Sequence, residues 1–240
     1  MTVVVGSFEY NLLLFLTFIL IGGKCVLWSY LLKKILENAK KRGSFEVDFV
    51  FGIFICVLCL FVSRIIFVYV DFFLTGFDPN KYHLHPNAFI WKLASVTYLA
   101  GIAVLMFIID KNVLKFKFKG IFAYIIIAVI IFLLMYPINT SEDFETVSTI
   151  ETIGVLIGVV LLPIIFIYLG IKTPRLRKIA FIFAFGIIIF TIGGAILDRS
   201  LVAFFVEAFG SPIRIFIWII SITLKLIGLT MITYSCTKFY

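Results

Sequence analysis

Charge is scarce in this chain. Of its 240 residues only 14% are Asp, Glu, Lys or Arg, against about 25% in an ordinary soluble domain. With 63% hydrophobic residues and a mean hydropathy of +1.19, that scarcity excludes a water-soluble globule. The chain has more apolar side chain than a core of its size can bury. Four cysteines exclude a disulfide scaffold, and 16 glycines with 6 prolines exclude a collagen-like or low-complexity chain. Two histidines leave little material for a metal cluster, and 29 phenylalanines are the opposite of a disordered composition. The solvent that remains is a lipid bilayer, and the expected location is the plasma (cytoplasmic) membrane.

A helix crossing the hydrocarbon core needs about 20 mainly apolar residues. Seven stretches qualify, at 8–32, 47–75, 88–109, 120–138, 150–170, 179–197 and 212–236. They are too long and uninterrupted for barrel strands, whose pieces run about 10 residues with alternating polarity. The expected fold class is therefore an all-α integral membrane protein, a seven-transmembrane helix bundle. It forms a single domain over residues 1–240 with no soluble domain, because the longest connections, 33–45 and 199–211, hold about a dozen residues each.

Orientation follows from Lys and Arg in the short connections. The first, third and fifth connections and the C-terminal tail carry 14 of the 21 basic residues, among them Lys33, Lys34, Lys40, Lys41, Arg42, Lys115, Lys117, Lys119, Arg175 and Arg177. The other side holds Lys81, Lys92, Arg199 and Arg214, and most of the acids, with Glu151 counted among them. This places the N-terminus outside and the C-terminus in the cytoplasm. It also accounts for the net charge of +8 through topology and anionic inner-leaflet lipid, with no nucleic acid as partner. The basic inner loops are the expected contact for a cytoplasmic protein partner. Residues 1–7 lack the basic segment of a signal peptide, so the first span is expected to stay in the mature chain.

Charges inside spans are costly and usually face the bundle interior or a wet cavity. Arg64 lies in the second span and Lys225 near the middle of the seventh. Asp71 follows Arg64 by seven residues, two helical turns, on the same face. Lys92 opens the third span and Asp198 closes the sixth on the same side. These five residues, Arg64, Asp71, Lys92, Asp198 and Lys225, are the candidate ligand-binding set, an outward-facing polar cluster. Lys24, Lys92 and Asp71 are also placed to snorkel towards the interfaces.

Seven spans, an outside N-terminus and a Lys in the last helix resemble the microbial rhodopsins. The resemblance covers topology and Lys225, and implies retinal bound there as a Schiff base, making Lys225 the candidate cofactor-binding residue. The third span departs from that family: it offers Ser95, Thr97 and Tyr98 but no carboxylate before Asp110, and Ser221 stands one turn before Lys225 where the family commonly has Asp. Apart from this resemblance the cofactor is unknown.

Cys56 and Cys59 have redox spacing but sit mid-span, where a thiol packs as a small apolar side chain. His83 and His85, flanked by Pro79 and Pro86, read as an interfacial turn, so no metal is expected. No Ser-His pair, phosphate loop or paired intramembrane carboxylate is present, which argues against an enzyme. Gly154 and Gly158 form a GxxxG surface, for packing within the chain or for a homodimer seam. Trp28, Trp91, Tyr10, Tyr82, Tyr136 and Tyr234 are placed as interface anchors. The first functional expectation is a seven-helix receptor or sensor-like membrane module. The alternative is a transporter or channel for a small anionic substrate, with a retinal-binding protein behind it and a membrane-embedded enzyme last.

Overall fold

The computed structural model describes residues 3–197, 199–210 and 212–239. It is all-helical, with no strand among the described residues. Among the described residues eight α-helices follow one another: α1 (Phe8–Arg42), α2 (Phe49–Val68), α3 (Asn87–Asn112), α4 (Ile121–Met135), α5 (Ser141–Lys172), α6 (Arg177–Ala195), α7 (Arg199–Phe209) and α8 (Ile213–Thr237). Six helical segments are long and apolar enough to cross a membrane: α1, α2 with its continuation, α3, α5, α6 with the preceding turn, and α8. The outer face of the bundle is apolar, with Ile125, Ile131 and Leu134 of α4 and Phe216 and Ile220 of α8 all exposed. Such surface is stable only against lipid, and the chain is an integral membrane protein.

The ends of the helices have local causes. Ser7 caps α1 by accepting from the Tyr10 amide, and Asp48 caps α2 by accepting from Phe51. At α5, Thr140 and Asp143 form a reciprocal capping box. Gly43 ends α1 in the left-handed region, φ +73°, with its N–H on the Ala39 carbonyl, a conformation that costs glycine little. Beyond Val68 the second helix widens into a π-turn, Tyr69–Thr75, the kind of local widening that is common at functional sites. That turn carries Asp71.

Packing runs in chain order. Each of α1 to α5 lies against the next, α6 lies against α8, and α8 returns to α1; α7 rests on α8. Small residues set the closest approaches. Gly186 and Gly228 bring the backbones of α6 and α8 together, and a Cβ at Gly228 would stand 2.6 Å from the Gly186 carbonyl oxygen. Ser221 donates to the Gly193 carbonyl along the same seam. Gly154 faces Val129 of α4 and Gly158 faces Ile102 of α3, so the GxxxG surface is used inside the chain. At the end bearing the C-terminus, the rings of Phe49, Phe166, Phe183 and Phe239 stack into one cluster, Phe166 and Phe183 at 4.1 Å between centroids.

Several expectations change. The stretch 120–138 contains a helix of only 15 residues, about 22 Å long at 1.5 Å per residue, shorter than the other spans. The connection 33–45 is mostly helix, because α1 continues for 35 residues. Its Leu, Lys, Glu and Ala residues favour helix, and Glu37 bridges Lys33 at 4.0 Å and Lys34 at 2.8 Å. The connection 199–211 contains α7, eleven residues free of glycine and proline. Lys24 does not snorkel. It is 5% exposed, and its ammonium donates to the Leu60 carbonyl at 2.8 Å. Tyr10, Tyr82 and Trp91 are buried within the bundle instead of anchoring it at the lipid interface.

Candidate ligand cavity at the N-terminal end

A cavity of about 540 Å³ lies at the end of the bundle that holds the N-terminus and the turns between α2 and α3. Its walls come from helical stripes. On the second helix Arg64, Phe67 and Asp71 recur at i, i+3 and i+7, and on α8 Arg214, Trp218 and Lys225 recur at i, i+4 and i+11, spacings that align side chains on one face. Trp91 of α3, Tyr82 of the α2–α3 connection and Val202 of α7 complete the lining. The volume falls within the range of about 300–1,000 Å³ typical of small-molecule sites.

Cations dominate the polar part. Arg64 and Asp71 face each other at 3.9 Å, an ion pair without hydrogen-bond contact. The Asp71 carboxylate instead accepts from the Tyr82 hydroxyl at 2.9 Å. Arg64 lies 5.9 Å from the centre of the Trp218 ring, within cation–π reach, and its buried Nε has no hydrogen-bond partner among the described residues. Lys225 lines the cavity and forms neither an ion pair nor a hydrogen bond among the described residues. At the mouth Arg214 pairs with Glu9 at 2.9 Å.

Of the five candidate residues, the structure brings Arg64, Asp71 and Lys225 to this one cavity. Lys92 is not part of the lining. Its ammonium donates to the Tyr136 carbonyl at the C-terminal end of α4, where helix carbonyls lack intrahelical partners. Asp198 lies outside the described residues. Sequence reasoning missed Arg214 with its partner Glu9, because both read as ordinary interfacial charges; their positions in the first turns of α8 and α1 were the only available signal. It also missed the aromatic walls, since Trp91 and Tyr82 sit at span ends where interface anchors are common.

Below Lys225 the polar lining stops. A second cavity of about 160 Å³ between α2, α3, α5, α6 and α8 is lined mainly by apolar side chains, Cys56 among them. Cys56 and Cys59 are both free thiols. At its edge Tyr98 donates to Glu151 at 2.6 Å, and Glu151, read from sequence as an outer acid, is 7% exposed inside α5. No group of three or more metal-ligating side chains occurs among the described residues.

Compared with known proteins, the chain matches no family model, no curated protein and no solved structure. The site is therefore read from its own chemistry. The retinal that the rhodopsin resemblance implies would find an amine at Lys225, but the surroundings do not fit it. A protonated Schiff base needs carboxylates nearby, whereas Lys225 shares its cavity with Arg64 and Arg214, and the carboxylate that lines it among the described residues, Asp71, is engaged by Tyr82.

Proposed function

We propose that the chain is a seven-helix receptor or sensor-like membrane module, with its N-terminus outside and its C-terminus cytoplasmic, that binds a small organic anion in the cavity at its N-terminal end. The observation that carries this reading is the cationic lining of one aromatic-walled cavity, where the buried Arg64 Nε has no hydrogen-bond partner among the described residues and the Lys225 ammonium, also without one among them, lines the same space. Buried charge of one sign is stable when an opposite charge joins it, and hydrogen bonds to charged groups contribute about 1.5–3 kcal/mol each. Trp91, Trp218 and Phe67 would hold an apolar body, for which a bare inorganic anion would leave most of the volume unfilled. The orientation rests on the basic connections and tail at the far end.

Binding without passage is supported by the interior below Lys225, where an apolar cavity gives way to the packed Phe49, Phe166, Phe183 and Phe239 cluster. The test is a thermal-shift and calorimetric screen of the purified protein in nanodiscs against alkyl and aryl carboxylates and phosphates. The expected result is stabilisation by a subset of these anions, lost in Arg64→Gln and weakened at least about tenfold in Lys225→Met. Anions that leave the melting temperature unchanged, or variants that bind as the parent does, would overturn the reading. Anion flux into proteoliposomes that disappears in Arg64→Gln would convert it to a transporter.

A further inference from the structure

The α3–α4 connection, at the opposite end from the cavity, is built more firmly than a solvated basic loop requires. Asp110, the buried acid near the end of α3, is 2% exposed. Its carboxylate accepts from the amides of Phe118 and Gly120, and its carbonyl from that of Phe116. Lys115, Phe116 and Lys119 are all held at positive φ, between 50° and 62°, which costs L residues free energy and marks a conformation imposed by its surroundings. The outcome is a shaped surface on which Lys115, Lys117 and Lys119 alternate with Phe116 and Phe118, all five exposed.

These lysines differ from Lys33 and Lys34 of α1. Lys33 and Lys34 are bridged by Glu37, and Arg42 by Glu46 and Asp48, whereas Lys115, Lys117 and Lys119 have no carboxylate partner among the described residues. The two phenylalanines stand 41% and 39% exposed even though each leans one edge on the bundle, Phe116 on Phe107 and Phe118 on Phe122. The loop also opens the shortest of the apolar helices. At about 22 Å, α4 falls roughly 8 Å short of a 30 Å hydrocarbon core, a deficit that its flanking connections, this loop among them, must make up at the depth where acyl chains meet headgroups.

We infer that the 115–119 surface binds the headgroups of anionic phospholipids, with the three ammonium groups on phosphate and the two rings among the upper acyl carbons. An acidic protein segment would satisfy the lysines and leave the rings in water; a phospholipid supplies both partners in the observed alternation. The surface is independent of the cavity and holds whichever ligand the cavity takes.

The test uses the full chain in nanodiscs of phosphatidylcholine doped with phosphatidylglycerol, reading the lipid retained by native mass spectrometry and the thermal shift on adding either lipid. The parent protein is expected to retain phosphatidylglycerol preferentially. Lys115→Ser/Lys117→Ser/Lys119→Ser should lose that preference by at least about tenfold, at roughly 1 kcal/mol per lysine. Phe116→Ser/Phe118→Ser should weaken it too, while Lys33→Ser/Lys34→Ser/Arg42→Ser, an equal charge change at the bridged residues of α1, should keep it. Retention by the loop-lysine variant equal to the parent's overturns the inference, as does an equal loss in the α1 variant. Capture of a glutamate-rich peptide without any phosphatidylglycerol preference would also overturn it, assigning the surface to protein instead.

Discussion

The α6–α8 seam offers a sharp test of how the bundle is held, through Gly228→Ala. A Cβ at Gly228 would lie 2.6 Å from both the Gly186 carbonyl oxygen and the Phe190 amide nitrogen, and 2.8 Å from the Phe190 Cα. Non-bonded carbon relaxes at about 3.5–4.0 Å, so the two helices must part by about 1 Å. All three obstacles are backbone, and no rotamer change can relieve them. Overpacking of this kind costs about 1–3 kcal/mol, and stretching the nearby bond from Ser221 to the Gly193 carbonyl adds up to about 1 kcal/mol. Better helix propensity returns about 1 kcal/mol. The expected net loss is about 0–3 kcal/mol, read by thermal unfolding in bicelles and by reversible unfolding in SDS. Gly22→Ala is the matched control, because its Cβ meets nothing within 4 Å; it gains the same propensity and should be neutral or stabilising. Because α8 also carries Trp218 and Lys225, anion affinity should fall along with stability in Gly228→Ala alone. Equal stability of the two variants would refute the close-approach argument.

Further outcomes follow from other buried groups. Tyr98→Phe removes the 2.6 Å donor to the buried Glu151 and should cost about 1–3 kcal/mol, whereas Thr97→Ala, whose hydroxyl serves only its own helix, should change stability by far less; equal effects on thermal unfolding would contradict the assignment. Lys24→Met replaces a buried ammonium bonded to one carbonyl with an apolar chain of similar length, and the melting temperature without ligand should hold or rise; a large drop would mean that the Lys24 bond to α2 holds the bundle. Asp110→Ala frees the amides of Phe118 and Gly120, so hydrogen exchange there should speed up while exchange in the middle of α3 stays slow. Unchanged exchange would show that the loop holds its shape without the aspartate.

The spans were legible because bilayer burial depends on composition over about 20 residues, which a linear chain displays directly. Arg64, Asp71 and Lys225 were legible for a related reason: a charge in an apolar run is conspicuous, and a seven-residue interval puts two of them on one face. Glu151, Arg214 and Glu9 were not, since each sits near a span end where sequence alone cannot tell an interfacial charge from a buried one. Lys92 misled for the same reason, its partner being a carbonyl 44 residues away. α7 was read as loop because eleven residues are too few to span.

What the sequence alone determined is the solvent, the helical class, and the concentration of basic residues at one end. These are sums over local residues, and hydrophobic transfer and charge placement act on such sums. Tertiary structure decided which charges meet. It put Arg64 and Lys225 on one cavity and Lys92 elsewhere, turned Trp91 and Tyr82 from prospective interface anchors into cavity walls, and spent the GxxxG glycines on packing within the chain. Those outcomes depend on the rotation of each helix about its own axis. That rotation is set where the helices touch, by contacts such as Gly228 against Gly186, between residues far apart in the chain.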